Sequence, residues 1–359
     1  MKIPLPPLPP QAVPAGWQWP LQVPPADLQR IIDQQAIVFL EKAPRETWLA
    51  RQGVLLERLL AFAAQASQPW RERLAGVSAT SPHERLAALP VLDRETFRAL
   101  SAAPLPLPPS HGIATAHSTS GRSGPPVGFH ISDHALRIVR HHYAADHLRH
   151  GRNLQERRAA IGPRTPPHPG VEHVFSQGNP WMGESHVFTR RGPDFRVEAH
   201  AHWLAFVSPA YLSVDPVLLA GMLDAFDGGV PVPRGMKQVI TSGAAIAPAL
   251  RSRTRSLLGA SIRDRYACEE VGPVALQCPH DETDEPALHV CVSNAVVEVL
   301  NSKGAGCLPG RPGRVVVTGL HHWASPAIRY ETGDYAMLAP RCRCGAEVPV
   351  LTQVRRAAN

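Results

Sequence analysis

Between about residues 110 and 270, short apolar runs alternate with helix-length stretches, and this alternation constrains the fold more than any other feature of the chain. Val239-Ile240-Thr241 leads to a helical pattern over residues 248–258, and Ala205-Phe206-Val207 leads to another over residues 216–226. Such a rhythm specifies an α/β sheet with helices packed on it. Within it, residues 149–202 are rich in Arg, His, Pro and Gly and read as long loops. Past Val271 the pattern becomes strand-like, with Val296-Val297-Glu298-Val299 and Val315-Val316-Val317-Thr318 flanking the turn Asn301-Ser302-Lys303-Gly304. Upstream, Ile31, Ile32, Ile37, Val38 and Leu40, then Leu55, Leu56, Leu59, Leu60 and Phe62, recur at helical spacing, with Pro44 separating two helices. The expected organisation is a Pro-rich extended arm over residues 1–27, a helical part over 28–110, an α/β core over 111–270 and a β-rich part over 271–356. No internal repeat is present.

With 359 residues, the chain is long enough for one large domain with subdivided cores or for two domains. Its 44% hydrophobic and 19% charged residues are those of a soluble globular protein, and no apolar run reaches the ~20 residues of a membrane span. The first ten residues lack the apolar stretch of a signal peptide, so the expected location is cytoplasmic. The net charge of +7 comes from scattered arginines, the only lysines being Lys2, Lys42, Lys237 and Lys303. No basic stripe interleaved with aromatics accompanies it, which argues against nucleic acid and leaves an acidic protein or an anionic substrate.

Ser118-Thr119-Ser120-Gly121-Arg122-Ser123-Gly124-Pro125-Pro126-Val127 is a loop of small residues presenting many backbone N–H groups. It reads as a phosphate cradle or as an ordinary Ser/Gly surface turn. Val127, Phe129 and Ile131 alternate after it, so it feeds a strand and not the helix that a Walker A loop requires. Three segments follow in order. Thr241-Ser242-Gly243-Ala244-Ala245 ends a strand in residues small enough for a flat ligand to approach the backbone. Asp264-Arg265-Tyr266-Ala267-Cys268-Glu269-Glu270-Val271-Gly272 offers an aromatic face four residues from a carboxylate. Ile328-Arg329-Tyr330-Glu331-Thr332-Gly333-Asp334 runs from an apolar entry to a Gly turn and an Asp. Taken singly, Tyr266, Glu270 and Asp334 are as readily a core tyrosine, a solvated carboxylate and a turn aspartate.

Taken together, these segments resemble the adenylate-forming superfamily of acyl-CoA synthetases and adenylation domains, and specifically its phenylacetate-CoA ligase branch. Further similarity lies in Gln68-Pro69-Trp70-Arg71-Glu72-Arg73, Leu89-Pro90-Val91-Leu92-Asp93, Leu288-His289-Val290 with Glu298, and Pro326-Ala327-Ile328-Arg329-Tyr330, so the resemblance covers residues 45–356. It implies the large N-terminal domain of that superfamily, with two α/β sheet subdomains and a β-rich subdomain. It also implies ATP-dependent activation of a carboxylic acid, aryl in this branch, to an acyl-adenylate that passes to the thiol of CoA or of an acyl carrier protein. By position, Ser118, Thr119, Ser120, Gly121, Ser123 and Gly124 hold the ATP phosphates, and Tyr266 packs on adenine with Gly243, Ala244 and Ala245 on its other side. Glu270 binds Mg²⁺ beside Glu269, Asp334 accepts from the ribose hydroxyls, and Arg356 stands at the hinge. The chain departs from the family where Ala267, Cys268 and Glu269 replace the usual Gly and Ser/Thr, and where Pro125 stands for a frequent Lys. Arg122 replaces a hydroxyl, which makes it a candidate for stabilising phosphate charge.

All six cysteines lie in the C-terminal third. In a chain of this size without a secretion signal, that clustering points to metal or free thiols. Cys342-Arg343-Cys344-Gly345 is a C-x-C turn, and with Cys278 and one His it satisfies a tetrahedral zinc site. Relatives in the branch carry such a structural site with its His in a Leu-His segment, which implies His289. His280 is the alternative, because residues 281–286 form an acidic insertion between Cys278 and His289. Cys268, Cys291 and Cys307 lack a partner pattern and read as structural, a reactive thiol being the alternative for Cys268.

Adenylate-forming ligases continue into a small C-terminal domain that carries a charge-stabilising lysine, and none of the four lysines here takes that role. Four readings follow. The chain is a stand-alone enzyme, its C-terminal domain comes as a separate polypeptide, it is a non-catalytic nucleotide or acyl-adenylate binding protein, or the sequence is cut short. A second copy in a homodimer completes the expected partners.

Overall fold

The computed structural model describes residues 25–77, 79–119, 125–153, 156–161, 174–176, 187–190 and 197–356. Side chains are described from residue 32 onward, apart from those of 174–176, 187–190 and 356. Five helices come first: α1 (Pro25–Lys42), α2 (Arg45–Ala66), α3 (Gln68–Leu74), α4 (Pro82–Ala88) and α5 (Arg94–Leu100). Pro44 separates α1 from α2 as expected, because proline lacks the N–H an α-helix interior requires. Trp48, Gln52, Leu56, Leu59, Leu60 and Ala63 follow a three-to-four-residue spacing and give α2 one buried face. Ser81 and Glu84 form a reciprocal capping box on α4, and the Asp93 carboxylate accepts from Thr96 N at 2.7 Å to cap α5.

A separate hairpin follows, β1 (Ala114–Ser118) paired antiparallel with β2 (Gly128–Ser132). Phe129 and Ile131 are buried while Gly128 and His130 are not, the period of two the sequence carries. Helix α6 (Asp133–Arg149) comes next, then β3 (Arg158–Ile161), β4 (Val174–Ser176), β5 (Val187–Arg190), α7 (Val197–Val207), β6 (Tyr211–Val214), α8 (Pro216–Asp227), β7 (Gln238–Ser242), α9 (Pro248–Leu258) and β8 (Ser261–Cys268). The chain ends in β9 (Gly272–Gln277), β10 (Leu288–Val290), β11 (Ala295–Leu300), β12 (Pro312–Gly319), β13 (Tyr330–Ala339) and β14 (Val350–Arg356). One expectation is corrected here. Ala205-Phe206-Val207 is the last turn of α7, with Phe206 exposed, and the strand before α8 is Tyr211–Val214. A three-residue apolar run cannot by itself distinguish a strand from a helix end.

Among the described residues, β3 to β14 join one twelve-stranded sheet in the order β11-β12-β13-β14-β10-β9-β8-β7-β6-β3-β5-β4. Strands β5, β3, β6, β7 and β8 are parallel neighbours, and everything from β9 onward pairs antiparallel. Two large cores result. One packs β3, β6, β7 and β8 against α7, α8 and α9, through Leu204, Leu212, Met222, Val239 and Ile262 among others. The other packs the antiparallel half and β2 against α2 to α5, around Trp70, Phe97, Phe129 and Tyr330.

Helix α6 is fastened to the sheet by a buried charge cluster. The Asp146 carboxylate accepts from Arg265 Nη2 of β8 at 2.6 Å and from Arg152 Nη1 at 2.9 Å, while Arg152 Nε donates to Gln238 Oε1 of β7 at 2.8 Å. Burial opposes the charge on Asp146, but the two guanidiniums outweigh it and hold its carboxyl well below the usual range. Removing Asp146 would leave buried guanidiniums without their carboxylate, so the cluster holds α6 against β7 and β8.

Candidate functional site

The parallel pairing of β7 with β8 ends at Ser242 and Arg265, where β7 itself ends. Ligands of open α/β sheets bind beyond such carboxyl ends. Gly243 leaves β7 at φ +91°, a left-handed conformation that favours glycine, and Gly243, Ala244 and Ala245 are all exposed just past Ser242, whose partner Arg265 precedes Tyr266 on β8. A bulge between Tyr266 and Ala267 re-aims the end of β8 into the hairpin that β9 completes. Tyr266 is half-buried against the larger core, and its hydroxyl donates to Asp334 Oδ2 at 2.9 Å and lies 3.1 Å from Thr332 Oγ1. Burial and the Asp334 charge push its pKa well up, so the phenol is a donor at neutral pH. Asp334 sits on β13 directly opposite Arg356 of β14. The structure thus brings Tyr266, Asp334 and the Arg356 backbone to one place.

Glu270 occupies the turn between β8 and β9. It is 5% exposed, and Tyr330 donates its hydroxyl to Glu270 Oε1 at 2.9 Å. Burial raises its pKa, partly offset by Tyr330 and the nearby Arg94. The turn is tight, for a Cβ on Gly272 (φ +81°) would meet Val139 of α6 at 2.7 Å. Glu269 is half-buried beside it. Cys268 feels burial first and then Glu270 and Asp334, all of which raise its pKa well above the ordinary thiol value.

Arg94 and Tyr330 had no assigned role in the sequence, and one piece of backbone pairing brings both in. Leu92 N donates to Arg329 O at 2.7 Å and Glu331 N to Leu92 O at 2.9 Å, which lays the segment before α5 along the start of β13. Arg329, at φ +54°, is locked by two-pronged bonds to Glu298 and a bond to Leu89 O. From there Arg94 Nη2 donates to Thr119 Oγ1 at 3.1 Å and to Pro125 O at 2.9 Å, one group on each side of the Ser/Gly loop. Thr119 N and Val127 O pair at 3.0 Å, and Val127 N donates to Thr119 Oγ1 at 3.0 Å. The loop neck is therefore closed by a hairpin, as the alternation after it predicted. Thr119 is buried and Ser118 exposed, whereas Ser120, Gly121, Arg122, Ser123 and Gly124 lie outside the described residues.

A second cluster lies at the far end of β9. Cys278 follows that strand, His289 is on β10 between β9 and β14, and Cys342 and Cys344 lie in the turn from β13 to β14. The acidic insertion folds on itself, with Asp281 Oδ2 accepting from Ala287 N at 2.9 Å and Cys278 N bonding Ala287 O at 2.8 Å, so Cys278 and His289 meet across it. One ligand atom each from Cys278, His289, Cys342 and Cys344 lies within 4.8 Å of every other. Zinc bonds of about 2.3 Å to sulfur and 2.05 Å to nitrogen at a tetrahedral angle put those two ligands about 3.5 Å apart. His289 Nε2 stands 3.5 Å from Cys344 Sγ. The donor set fits zinc, and it takes His289 rather than His280, which is exposed and outside the cluster. Burial pushes the Cys278 thiol up to about 12, a tendency that a bound cation reverses by ligating the thiolate.

No family model and no curated protein matches the sequence. Solved structures do. The chain superimposes on 2-hydroxyisobutyryl-CoA ligase in complex with 2-HIB-AMP and CoA in its thioesterification state with a TM-score of 0.70 and 19% identity, over 94% of this chain and 74% of that one. An open conformation of that ligase with the same two molecules gives 0.69 and 19%, over 95% and 76%. Its postadenylation state with 2-HIB-AMP gives 0.69 and 20%, over 95% and 74%. Among the described residues, no helix is long and apolar enough to cross a membrane. The mixed α/β architecture is thus that of the N-terminal domain of adenylate-forming enzymes.

Proposed function

We propose that this chain activates a carboxylic acid with ATP as an acyl-adenylate and hands the acyl group to a thiol, of CoA or of a carrier protein. The observation that carries the reading is the convergence, beyond the ends of β7 and β8, of Tyr266 with Asp334, Glu270 with Tyr330, and Arg94 on the neck of the Ser/Gly loop. The likeness to a ligase bound to 2-HIB-AMP and CoA supports it. In this reading the acid's carboxylate attacks the α-phosphorus, pyrophosphate leaves, and a thiolate then displaces AMP from the acyl carbon. Tyr266 offers its ring to adenine beside Gly243, Ala244 and Ala245, and Asp334 exchanges the Tyr266 hydroxyl for those of ribose.

Glu270 would hold Mg²⁺, a hard cation that neutralises phosphate charge, since Tyr330 engages only one of its carboxylate oxygens. Arg122 adds a fixed cation to the phosphate loop. The acid is aryl by the sequence resemblance. Carboxylate-dependent pyrophosphate exchange, screened over aryl and short acyl acids with and without CoA or carrier proteins, tests the function. Exchange is expected in wild type and a fall of ~10²–10³ in Glu270→Ala, the scale typical of losing one preorganised charge-stabilising group. Nucleotide binding without exchange under every condition would instead favour a binding protein. That second reading draws on Asp334 and Glu270 already being engaged by tyrosines.

The four-ligand cluster is assigned as a structural zinc site, in which the metal ties three strands of the antiparallel half together.

A further inference from the structure

His289 has two ring nitrogens with different surroundings. Nε2 faces Cys344, while Nδ1 lies 2.5 Å from Glu41 Oε1 on α1, 248 positions away in sequence. Glu41 is only 14% exposed and also pairs with Arg149 of α6. Arg149 in turn donates to the carbonyl of Gln277 at 2.9 Å, the residue just before Cys278. An ionised Glu41 accepts the Nδ1 proton, fixes the tautomer and leaves the Nε2 lone pair to a metal.

We propose that Glu41 is the positioning residue of the metal site, and that metal occupancy and the seating of α1 on α6 are coupled through the Glu41–His289 and Glu41–Arg149–Gln277 contacts. The proposal rests on the zinc reading. It makes α1 part of the metal site although it donates no ligand, because the same carboxylate that orients His289 anchors the last turn of α1 to α6.

The test is zinc titration of the full-length protein against a chromogenic chelator, with hydrogen exchange of the α1 amides read in parallel. Partners that orient a metal-binding His typically contribute 10–100-fold in affinity, so Glu41→Gln should bind zinc about tenfold more weakly and Glu41→Ala up to about a hundredfold. Glu41→Asp keeps a charge opposite Arg149 while drawing the oxygen back from His289, and should resemble Glu41→Gln. In wild type, chelation should accelerate α1 exchange, whereas in Glu41→Gln α1 should exchange fast with or without zinc. Cobalt in place of zinc should give the same thiolate absorption in wild type and Glu41→Gln, showing an unchanged ligand set. Wild-type affinity in all three variants would overturn the role of Glu41, and α1 exchange indifferent to zinc in wild type would overturn the coupling. A wild type that binds no zinc, indistinguishable from Cys344→Ser, would instead remove the metal site itself.

Discussion

Strand β9 has a different kind of cluster at each end, about 20 Å apart for its six residues at the ~3.4 Å rise of an antiparallel strand. At one end, Cys278, His289, Cys342 and Cys344 already stand within a ligand-to-ligand distance of each other, and the contact between His289 Nε2 and Cys344 Sγ keeps both donors inside the cluster. At the other, Tyr266 and Tyr330 occupy the carboxylates of Asp334 and Glu270, and Arg94 is spent on the loop neck. A permanent occupant calls for convergence before it arrives. A substrate that comes and goes calls for groups satisfied by one another in its absence, since a buried unpaired polar group costs roughly 1–3 kcal/mol.

The largest effect that would break this contrast is loss of the metal. Apparent binding in structural zinc sites reaches about 10–16 kcal/mol, so Cys342→Ser should drop zinc from stoichiometric to background by elemental analysis and lower the melting temperature. If chelation left wild-type melting unchanged, the two ends of β9 would not differ in the way described. Next in size is Arg94→Ala. Hydrogen bonds from charged groups contribute roughly 1.5–3 kcal/mol, so calorimetry should find ATP bound at least about tenfold more weakly. Arg94→Lys should recover only part of it, because both bonds leave one nitrogen, Nη2, and the shorter lysine must carry its ammonium to the same point. Smallest is Tyr266→Phe, which removes a neutral donor and keeps the ring. It should cost about 1.5 kcal/mol in denaturant unfolding, the low end for a bond to a carboxylate because Asp334 is only half-buried, with little change in ATP affinity. A large loss of affinity would mean that the hydroxyl, and not the ring, meets the nucleotide.

Much of this was legible in the residues. The period-two run at Val127, Phe129 and Ile131, the helical spacing in α2 and the Val-rich strands after residue 290 are local patterns that local physics reads correctly. The C-x-C turn and Cys278 likewise carried their chemistry in their spacing. Ala205-Phe206-Val207 misled because burial, not composition, decides whether three apolar residues close a helix. Arg94, Tyr330 and Glu41 stayed silent for another reason. Each acts through a contact made only when distant segments pack, Arg94 by the pairing of Leu92 with Glu331 and Glu41 by the docking of α1 on α6. No spacing rule reaches across 248 positions.

The closure of the Ser/Gly loop at its neck has a consequence for how such a protein can change. Thr119 joins both sides of the neck at once, its hydroxyl accepting from Arg94 Nη2 and from Val127 N, while Arg94 also reaches Pro125 O. A substitution at Thr119 therefore cuts two contacts in one step, so Thr119, Arg94 and Val127 are constrained to change as a set.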